Sequence, residues 1–312
     1  MTRLAAVFLF NHRFEKNVET LEAMYRDRFT SRRYIMPFTQ NDDPRMVPVY
    51  ETSWNFSGHL AQAWPRIRVE DAAHYVVIAD DLVLNPQLHE GNLLERLGVG
   101  PRAGYIKSLA SIDSNRYRWH RALPESMRFD ETDPGFDYKA ELPSAEAARA
   151  RFEGMGVPFR FPAPRSLREA RLTVHRFRPL VGTGNYLRWA RRRTSYPLLY
   201  GYADFLVIPA HAMPGFIRYC GILAALNVFA EVAVPTALAL ATDEIVTEME
   251  VGEHFEWPGR RRADAVMEGI ELWGAPRIQA FVEGVGRSLD RLAADYPENR
   301  LYVHPVKLSQ FR

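Results

Sequence analysis

The chain has 312 residues, of which 47% are hydrophobic and 25% are charged, and its formal net charge is +2. These proportions are those of an ordinary globular protein with enough apolar residues for a sizeable core. So small a net charge gives no argument for nucleic acid as a partner, and the single cysteine, Cys220, excludes an internal disulfide and a cysteine-based zinc site. The arginine runs at 191–193 and 260–262 are expected to be solvated surface patches rather than specific anion sites.

Two apolar segments bear on the question of a membrane or secretory signal. The run at 4–10 lacks a small-residue cleavage site and predicts a first strand rather than a signal peptide. The run at 220–241 is interrupted by Asn227, Glu231 and Pro235, which favours a buried helix followed by another element over a membrane span. We therefore expect a cytoplasmic protein without a transmembrane segment, and the arginine runs leave peripheral contact with an anionic membrane open.

The first hundred residues alternate between strand and helix patterns. The predicted elements are, in chain order, a strand at 4–10, an amphipathic helix over 18–29, strands at 33–37 and 46–50, a helix at 57–64 and a strand from Tyr75. Alternation of this kind predicts an α/β fold with a doubly wound, mostly parallel sheet.

The middle of the chain, residues 98–195, has a different character. Proline, glycine and charged residues are frequent there and periodicity is weak, which predicts an irregular insertion or lid-like segment. Its aromatic cluster of Tyr117, Trp119 and His120 has two interpretations, stacking on a sugar ring or ordinary packing of the insertion.

Regular patterns return after the insertion. The later predicted elements are a strand at 204–209, a helix at 215–229, an amphipathic helix over 278–292 and a short strand at 301–303. We expect a single domain, 1–312, in which a first half (1–97) and a second half (196–312) flank the variable region.

The strand that begins at Tyr75 runs directly into two adjacent carboxylates, Asp80 and Asp81. Open α/β sheets place their ligands just beyond the carboxyl ends of strands. Adjacent anions repel each other unless a cation or hydrogen bonds compensate, and a divalent metal that carries a phosphorylated substrate is one such compensation. The alternative is that one carboxylate caps the following turn while the other is solvated.

Three further residues are candidates for chemistry. His304 and Lys307 follow the last predicted strand, where an imidazole can complete a metal's coordination shell and an ammonium can neutralise phosphate; a solvated surface turn is the alternative. Glu231 is flanked by apolar residues on both sides. A carboxylate in such a setting indicates either a general base in a partly desolvated cleft or a buried pair with an arginine.

The order of these features resembles that of glycosyltransferases of the GT-A fold. Ala79-Asp80-Asp81 stands where that family has its Asp-x-Asp motif, and Tyr200-Gly201-Tyr202-Ala203-Asp204 is similar to its glycine-containing loop. Ala230-Glu231 resembles the acidic-base motif, His304 the C-terminal histidine, and Phe10-Asn11-His12-Arg13 the exit of the first strand. The resemblance covers about residues 4 to 95 and 196 to 308, and it implies a GT-A type sheet.

The resemblance implies a metal-dependent donor site. Asp81, helped by Asp80 and His304, would hold Mn²⁺ or Mg²⁺ on the diphosphate of a nucleotide sugar, and Lys307 would offset the charge of the leaving group. The first acidic position of the motif is Ala79 in this chain. This departure favours Asp81 as the metal ligand and predicts weaker metal dependence or a different contact to the ribose.

The resemblance also implies an acceptor site and a nucleotide site. Asn11 and His12 lie where the family binds the nucleotide, with Asp80 and Lys307 as further donor contacts. Glu231 would deprotonate the hydroxyl of a glycan or lipid-linked glycan acceptor, which implies inversion at the anomeric carbon. A retaining mechanism is expected instead if Glu231 lies far from the acceptor.

Two other functions stay open at the level of sequence. Nucleotidyl transfer uses a similar sheet and metal, but it calls for a glycine- and basic-rich phosphate loop after the first strand, and Asn11-His12-Arg13-Phe14 is not such a loop. A non-catalytic nucleotide- or glycan-binding protein is the third interpretation, and it would bind nucleotide without metal dependence or turnover.

Overall fold

The computed structural model describes residues 3–115, 122–159, 196–253, 260–272 and 274–311. The arginine run at 191–193 and the aromatic residues Tyr117, Trp119 and His120 lie outside these described residues. The strands are β1 (Leu4–Leu9), β2 (Ser31–Pro37), β3 (Met46–Val49), β4 (His74–Ala79), β5 (Val83–Leu84), β6 (Ala103–Ile106), β7 (Ala110–Ser111), β8 (Leu199–Tyr200), β9 (Phe205–Pro209), β10 (Glu244–Thr247), β11 (Glu268–Glu271) and β12 (Arg300–His304).

The described helices connect these strands. They are α1 (Lys16–Tyr25), α2 (Phe56–Ile67), α3 (Leu93–Leu97), α4 (Ile112–Asn115), α5 (Ala122–Glu131), α6 (Tyr138–Glu141), α7 (Ala145–Gly154), α8 (Met213–Ala225), α9 (Ala230–Ala241), α10 (Ala275–Gly284) and α11 (Leu289–Ala294). Short 3₁₀ turns lie at Ser53–Asn55, Ala210–Ala212 and Leu308–Gln310. None of the described helices is long and apolar enough to cross a bilayer.

The core is a seven-stranded mixed sheet in the order β10-β6-β9-β4-β1-β2-β3. All neighbouring strands in it are parallel except β9, which is antiparallel to both β4 and β6. The central strands β1 and β4 are buried along their whole length, as expected of continuous apolar runs covered on both faces. The predicted α/β class with a mostly parallel sheet is therefore confirmed.

Helices cover both faces of this sheet. The register pairs Phe8 with Ile78 and Ala5 with Tyr75, so Phe8 and Tyr75 point to opposite faces. Phe8 packs on Tyr25 of α1 at a ring-centroid distance of 4.9 Å, whereas Tyr75 packs on Trp64 of α2 at 5.5 Å. On the α2 side, α8 adds a further layer against α2 and α9.

A second, three-stranded sheet has the order β11-β12-β5. Its strand β5 begins only a few residues after β4 ends, so the short turn of Asp80, Asp81 and Leu82 joins the two sheets. Because β12 runs antiparallel to β5, the end of the last strand is brought back to this turn. The fold thus places the two carboxylates at the junction between the sheets.

Several element boundaries differ from the sequence predictions. The helix predicted to stop before Pro65 continues to Ile67: the proline removes one helical hydrogen bond, and the packing of α2 against the sheet and α8 holds the last turn in place. The amphipathic helix predicted over 278–292 is divided into α10 and α11 by Gly286 and Arg287, which have φ angles of 61° and 58°.

The predicted helix 215–229 ends early, and this difference matters for the site. Helix α8 ends at Ala225, and Asn227 has a φ of 54° in the turn that follows. A left-handed residue ends a helix, and the chain then begins α9 at Ala230. Glu231 consequently lies in the first turn of a new helix, rather than between two elements.

The region predicted as an insertion, 98–195, begins with strands of the fold. Strand β6 lies in the main sheet between β10 and β9, and β7 pairs with β8 from the second half of the chain. The early part of this region therefore helps to build the central sheet. Its residues 160–195 lie outside the described ones.

Candidate functional site

The carboxyl ends of β1 and β4 are tied together through Asp80. The backbone N–H of Asn11 donates to Asp80 Oδ1 at 3.1 Å, and the backbone N–H of Asp80 donates to the carbonyl oxygen of Leu9 at 3.0 Å. Asp80 is only 7% exposed. Its burial, together with the charge of Asp81, raises its pKa to about 7, although Asn11 and Asn17 donate hydrogen bonds to it. Asp80 is therefore partly protonated at neutral pH.

Asp81 and His304 face each other at the junction of the two sheets. The pairing of β5 with β12 sets Val303 opposite Val83, and the backbone N–H of Val306 donates to the carbonyl oxygen of Asp81 at 2.6 Å. His304 Nε2 consequently lies 3.3 Å from Asp81 Oδ1. Oδ1 is buried and accepts no well-aligned hydrogen bond. A cation between the two side chains, either a proton on Nε2 or a metal ion, would satisfy both.

Three carboxylates determine the charge of His304. Burial lowers the pKa of its imidazole, but Asp204, Asp81 and Glu271 together raise it well above the ordinary value. His304 is itself 9% exposed. The imidazole is therefore expected to carry a proton on Nε2 at neutral pH unless another cation takes the place of that proton.

Glu271 lies behind His304 and accepts four hydrogen bonds. Its Oε1 accepts from Lys107 Nζ and from the Tyr302 hydroxyl, each at 2.9 Å. Its Oε2 accepts from the Tyr202 hydroxyl at 2.9 Å and lies 3.0 Å from His304 Nδ1. Burial raises the pKa of Glu271, but His304 and Lys107 lower it more, so the net direction is downward and the group is an anion at neutral pH.

Glu231 lies in the first turn of α9 on the wall of a pocket of about 370 Å³. The backbone N–H of Gly201 donates to the carbonyl oxygen of Glu231 at 2.9 Å and so fixes the start of this helix. A Cβ at Gly201 would lie 2.1 Å from the carbonyl oxygen of Ser108, so only glycine fits there. The same pocket is lined by Asn11, Trp54, Asp204 and Phe229.

Asp204 connects this pocket with the Asp81–His304 pair. Its burial raises its pKa to about 6; His304 opposes this shift, and the charges of Asp81 and Glu271 add to it. Asp204 therefore lines the Glu231 pocket and at the same time interacts electrostatically with both members of the pair. In the sequence, Asp204 stands out only as the end of the glycine-containing loop.

Most of the sequence-predicted site residues lie along one edge of the structure. Asn11 and Glu231 share a pocket, and Asp81 contacts His304 directly. His12 is exposed and comes directly after Asn11. Lys307 is also exposed and comes directly after Val306, whose backbone N–H donates to the carbonyl oxygen of Asp81. Both therefore lie at the rim of the site.

Two buried polar residues of the site, Lys107 and Glu271, are not indicated by any motif in the sequence, and Tyr202 stands out there only as part of the glycine-containing loop. Lys107 follows one short strand and Glu271 ends another, and an isolated lysine or glutamate at the end of a strand usually indicates a solvated side chain. Only the pairing of β11 with β12, which sets Glu271 opposite His304, brings these groups together. A signal for that pairing is not present in the local sequence.

The arginine run at 260–262 is largely neutralised by neighbouring carboxylates. Each of its side chains forms an ion pair, and the partners are Glu250 and Glu253, Glu248 and Glu268, and Asp264 respectively. Exposed pairs of this kind add little stability, but they offset the local positive charge.

A divalent cation would fit here only as an open site, with two protein ligands and the remaining positions filled by water or by phosphate oxygens of a substrate. Among the residues that the structure describes, no group of three His, Cys, Asp or Glu side chains converges as a protein-only metal site requires. Mg²⁺ and Mn²⁺, however, are commonly held by one or two side chains together with phosphate oxygens and water. Two ligands of one octahedral ion lie about 3.0 Å apart, close to the 3.3 Å between Asp81 Oδ1 and His304 Nε2. The observation that favours such an ion is the buried Oδ1, which faces His304 Nε2 but accepts no well-aligned hydrogen bond.

Comparisons with known protein families, with curated proteins and with solved structures find no match for this chain. The features of the chain that bear on its function are therefore the Asp81–His304 pair at the sheet junction and the adjoining pocket that contains Glu231 and Asp204.

Proposed function

We propose that this protein is a glycosyltransferase of the GT-A type, which moves a sugar from a nucleotide-diphosphate donor to a hydroxyl group of a glycan or lipid-linked glycan. One observation carries the proposal: Asp81 Oδ1 is buried, accepts no well-aligned hydrogen bond and faces His304 Nε2 at 3.3 Å. This pair lies at the end of a parallel strand, where α/β sheets bind their ligands. Asp204 links it to a pocket that contains a second carboxylate, Glu231.

In this proposal Asp81 and His304 are the residues that would hold Mn²⁺ or Mg²⁺ at the diphosphate of the donor. When bound, such an ion neutralises negative charge on the phosphate oxygens and so stabilises the nucleotide diphosphate as a leaving group. Lys307, exposed at the rim, adds a positive charge on the same side of the site. Asn11 and His12, at the end of β1, are the proposed contacts to the nucleotide.

Glu231 is the proposed general base. A proton passes from the acceptor hydroxyl to its carboxylate while the acceptor oxygen bonds to the anomeric carbon, and the bond from that carbon to the diphosphate oxygen breaks. Attack from the face opposite the leaving group inverts the anomeric configuration. Support for this role comes from the half-buried position of Glu231 on a pocket wall that also carries Asp204.

The test is transfer or hydrolysis across a panel of uridine, guanosine, adenosine and thymidine diphosphate sugars in the presence of Mn²⁺. Wild type is expected to turn over at least one donor, and Asp81→Ala is expected to reduce that rate about 100-fold. Asp264→Ala, which removes an exposed carboxylate paired with Arg262, is the control and should retain the wild-type rate. Equal rates for wild type and Asp81→Ala would refute the proposed role of the pair.

A further inference from the structure

Glu271 accepts hydrogen bonds from four side chains that come from three separate parts of the chain. Lys107 follows β6, Tyr202 precedes β9, and Tyr302 and His304 lie on β12, where the register sets His304 opposite Glu271. All five side chains are buried or nearly so. A carboxylate with four donors at such depth is held in one position, because loss of any contact would leave a buried polar group without a partner.

The packing around the carboxylate is equally specific. The rings of Tyr202 and Tyr302 are parallel, with centroids 5.8 Å apart, and Lys107 Nζ lies 5.1 Å and 5.4 Å from the two ring centroids. Gly269 makes room for this stack, because a Cβ there would lie 2.2 Å from the Tyr302 ring. The Lys107 ammonium group and the hydroxyl groups of the two stacked tyrosines thus fix both carboxylate oxygens of Glu271.

The geometry also assigns the proton on His304 Nδ1. This nitrogen lies 3.0 Å from Glu271 Oε2 and 2.6 Å from the Tyr202 hydroxyl oxygen. A carboxylate oxygen can only accept, so an unprotonated Nδ1 would set its lone pair against Oε2 whichever of the two atoms takes the proton of Tyr202. Nδ1 therefore carries a proton and donates it to Glu271. The other nitrogen, Nε2, is directed at Asp81.

We infer that Glu271 is a positioning residue, which holds the imidazole of His304 with Nδ1 protonated and Nε2 directed towards the cation shared with Asp81. The inference rests on the proposed cation site. A carboxylate behind a metal-binding histidine fixes the ring's orientation and strengthens its binding, and removal of such a partner commonly weakens metal binding 10- to 100-fold, as an order of magnitude.

The test compares Glu271 with Glu248, because both buried glutamates lie close to Gly269. Glu271→Gln and Glu271→Asp alter the contact to His304, the first by removing charge and the second by shortening the side chain. Glu248→Gln is the matched control, since Glu248 accepts from the backbone N–H of Gly269 at 3.1 Å and pairs with Arg261. Titration with Mn²⁺ alone, followed by electron paramagnetic resonance, should show about 10-fold or weaker binding for both Glu271 variants. Glu248→Gln should bind like wild type.

A second measurement separates this inference from the proposed function. In ¹⁵N-histidine-labelled protein, the His304 Nδ1 proton should give a slowly exchanging signal in wild type and in Glu248→Gln. The signal should be lost or shifted in both Glu271 variants, and His304→Gln assigns it. If wild type binds no Mn²⁺, the metal site of the proposed function is refuted. The proton signal of His304 Nδ1 still decides whether Glu271 positions the imidazole. Unchanged Mn²⁺ binding or an unchanged proton signal in both folded Glu271 variants would overturn the inference.

Discussion

The backbone N–H of Ala79 donates to the carbonyl oxygen of Asp204 at 2.8 Å, so an aspartate stands opposite the alanine that interrupts the acidic motif. This contact arises because β9 runs antiparallel to β4, which brings the start of β9 to the edge where β4 ends. Neighbouring residues across such a pair place their side chains on the same face. A carboxylate at position 79 would therefore meet a second one at Asp204.

We expect Ala79→Asp to destabilise the protein rather than improve a metal site. Ala79 is 1% exposed, and Asp204 already has a pKa raised to about 6 despite the opposing effect of His304, so a further buried anion would add repulsion between carboxylates. The free energy of unfolding should fall by about 2–4 kcal/mol, and by more at pH 8 than at pH 5 because the new carboxyl is then ionised. Ala79→Asn has the same shape without the charge. Identical unfolding temperatures for the two variants at pH 8 would contradict this explanation.

The pKa of Asp80 predicts a specific pH dependence of stability. Its pKa is raised from 3.8 to about 7, so the folded state holds this proton more tightly than the unfolded state does. Protonation of Asp80 therefore stabilises the folded state relative to the unfolded state, and this stabilisation is lost as pH rises from about 4 to about 7. Asp80→Asn should raise the free energy of unfolding by about 3 kcal/mol at pH 8 and hardly change it at pH 4.

Urea unfolding at both pH values measures this effect of Asp80. The exposed Asp264→Asn, which only disrupts a surface pair with Arg262, should show no gain at pH 8 and serves as the control. A variant Asp80→Asn that is less stable than wild type at pH 8 would show that the ionised carboxylate is needed by Asn11 and Asn17.

The sequence predicts the parts of the site that depend on single elements. The apolar run before Asp80 and the position of Asp81 after it are local signals, and both carboxylates lie at the carboxyl edge as expected. The direction of β9 is not a local signal, so Asp204 was not expected to face Ala79. Glu271 depends on a four-residue strand whose burial comes entirely from its neighbours. Long-range pairing therefore decides which polar residues enter the site.

Binding of Mn²⁺ should release a proton, because the metal replaces the one on His304 Nε2. The pKa of His304 lies well above its ordinary value, so at neutral pH the two cations compete for the same position. Affinity should rise at least about 5-fold between pH 6.5 and pH 8.5. Calorimetry in buffers of different ionisation enthalpy measures the released proton directly. His211→Gln, at an exposed histidine, should retain the effect, and a pH-independent affinity in wild type would rule out the competition.

The role of Glu231 predicts a separation between catalysis and donor binding. Glu231→Gln retains the size of the side chain but removes the base, so turnover should fall about 100- to 1,000-fold. Donor affinity should stay within about 2-fold of wild type, since Asp81 and His304, rather than Glu231, bind the diphosphate in the proposed mechanism. Glu283→Gln, on the exposed side of α10, is the control and should change neither quantity. Unchanged turnover in Glu231→Gln would exclude it as the base, and a parallel loss of donor binding would place it in the donor site instead.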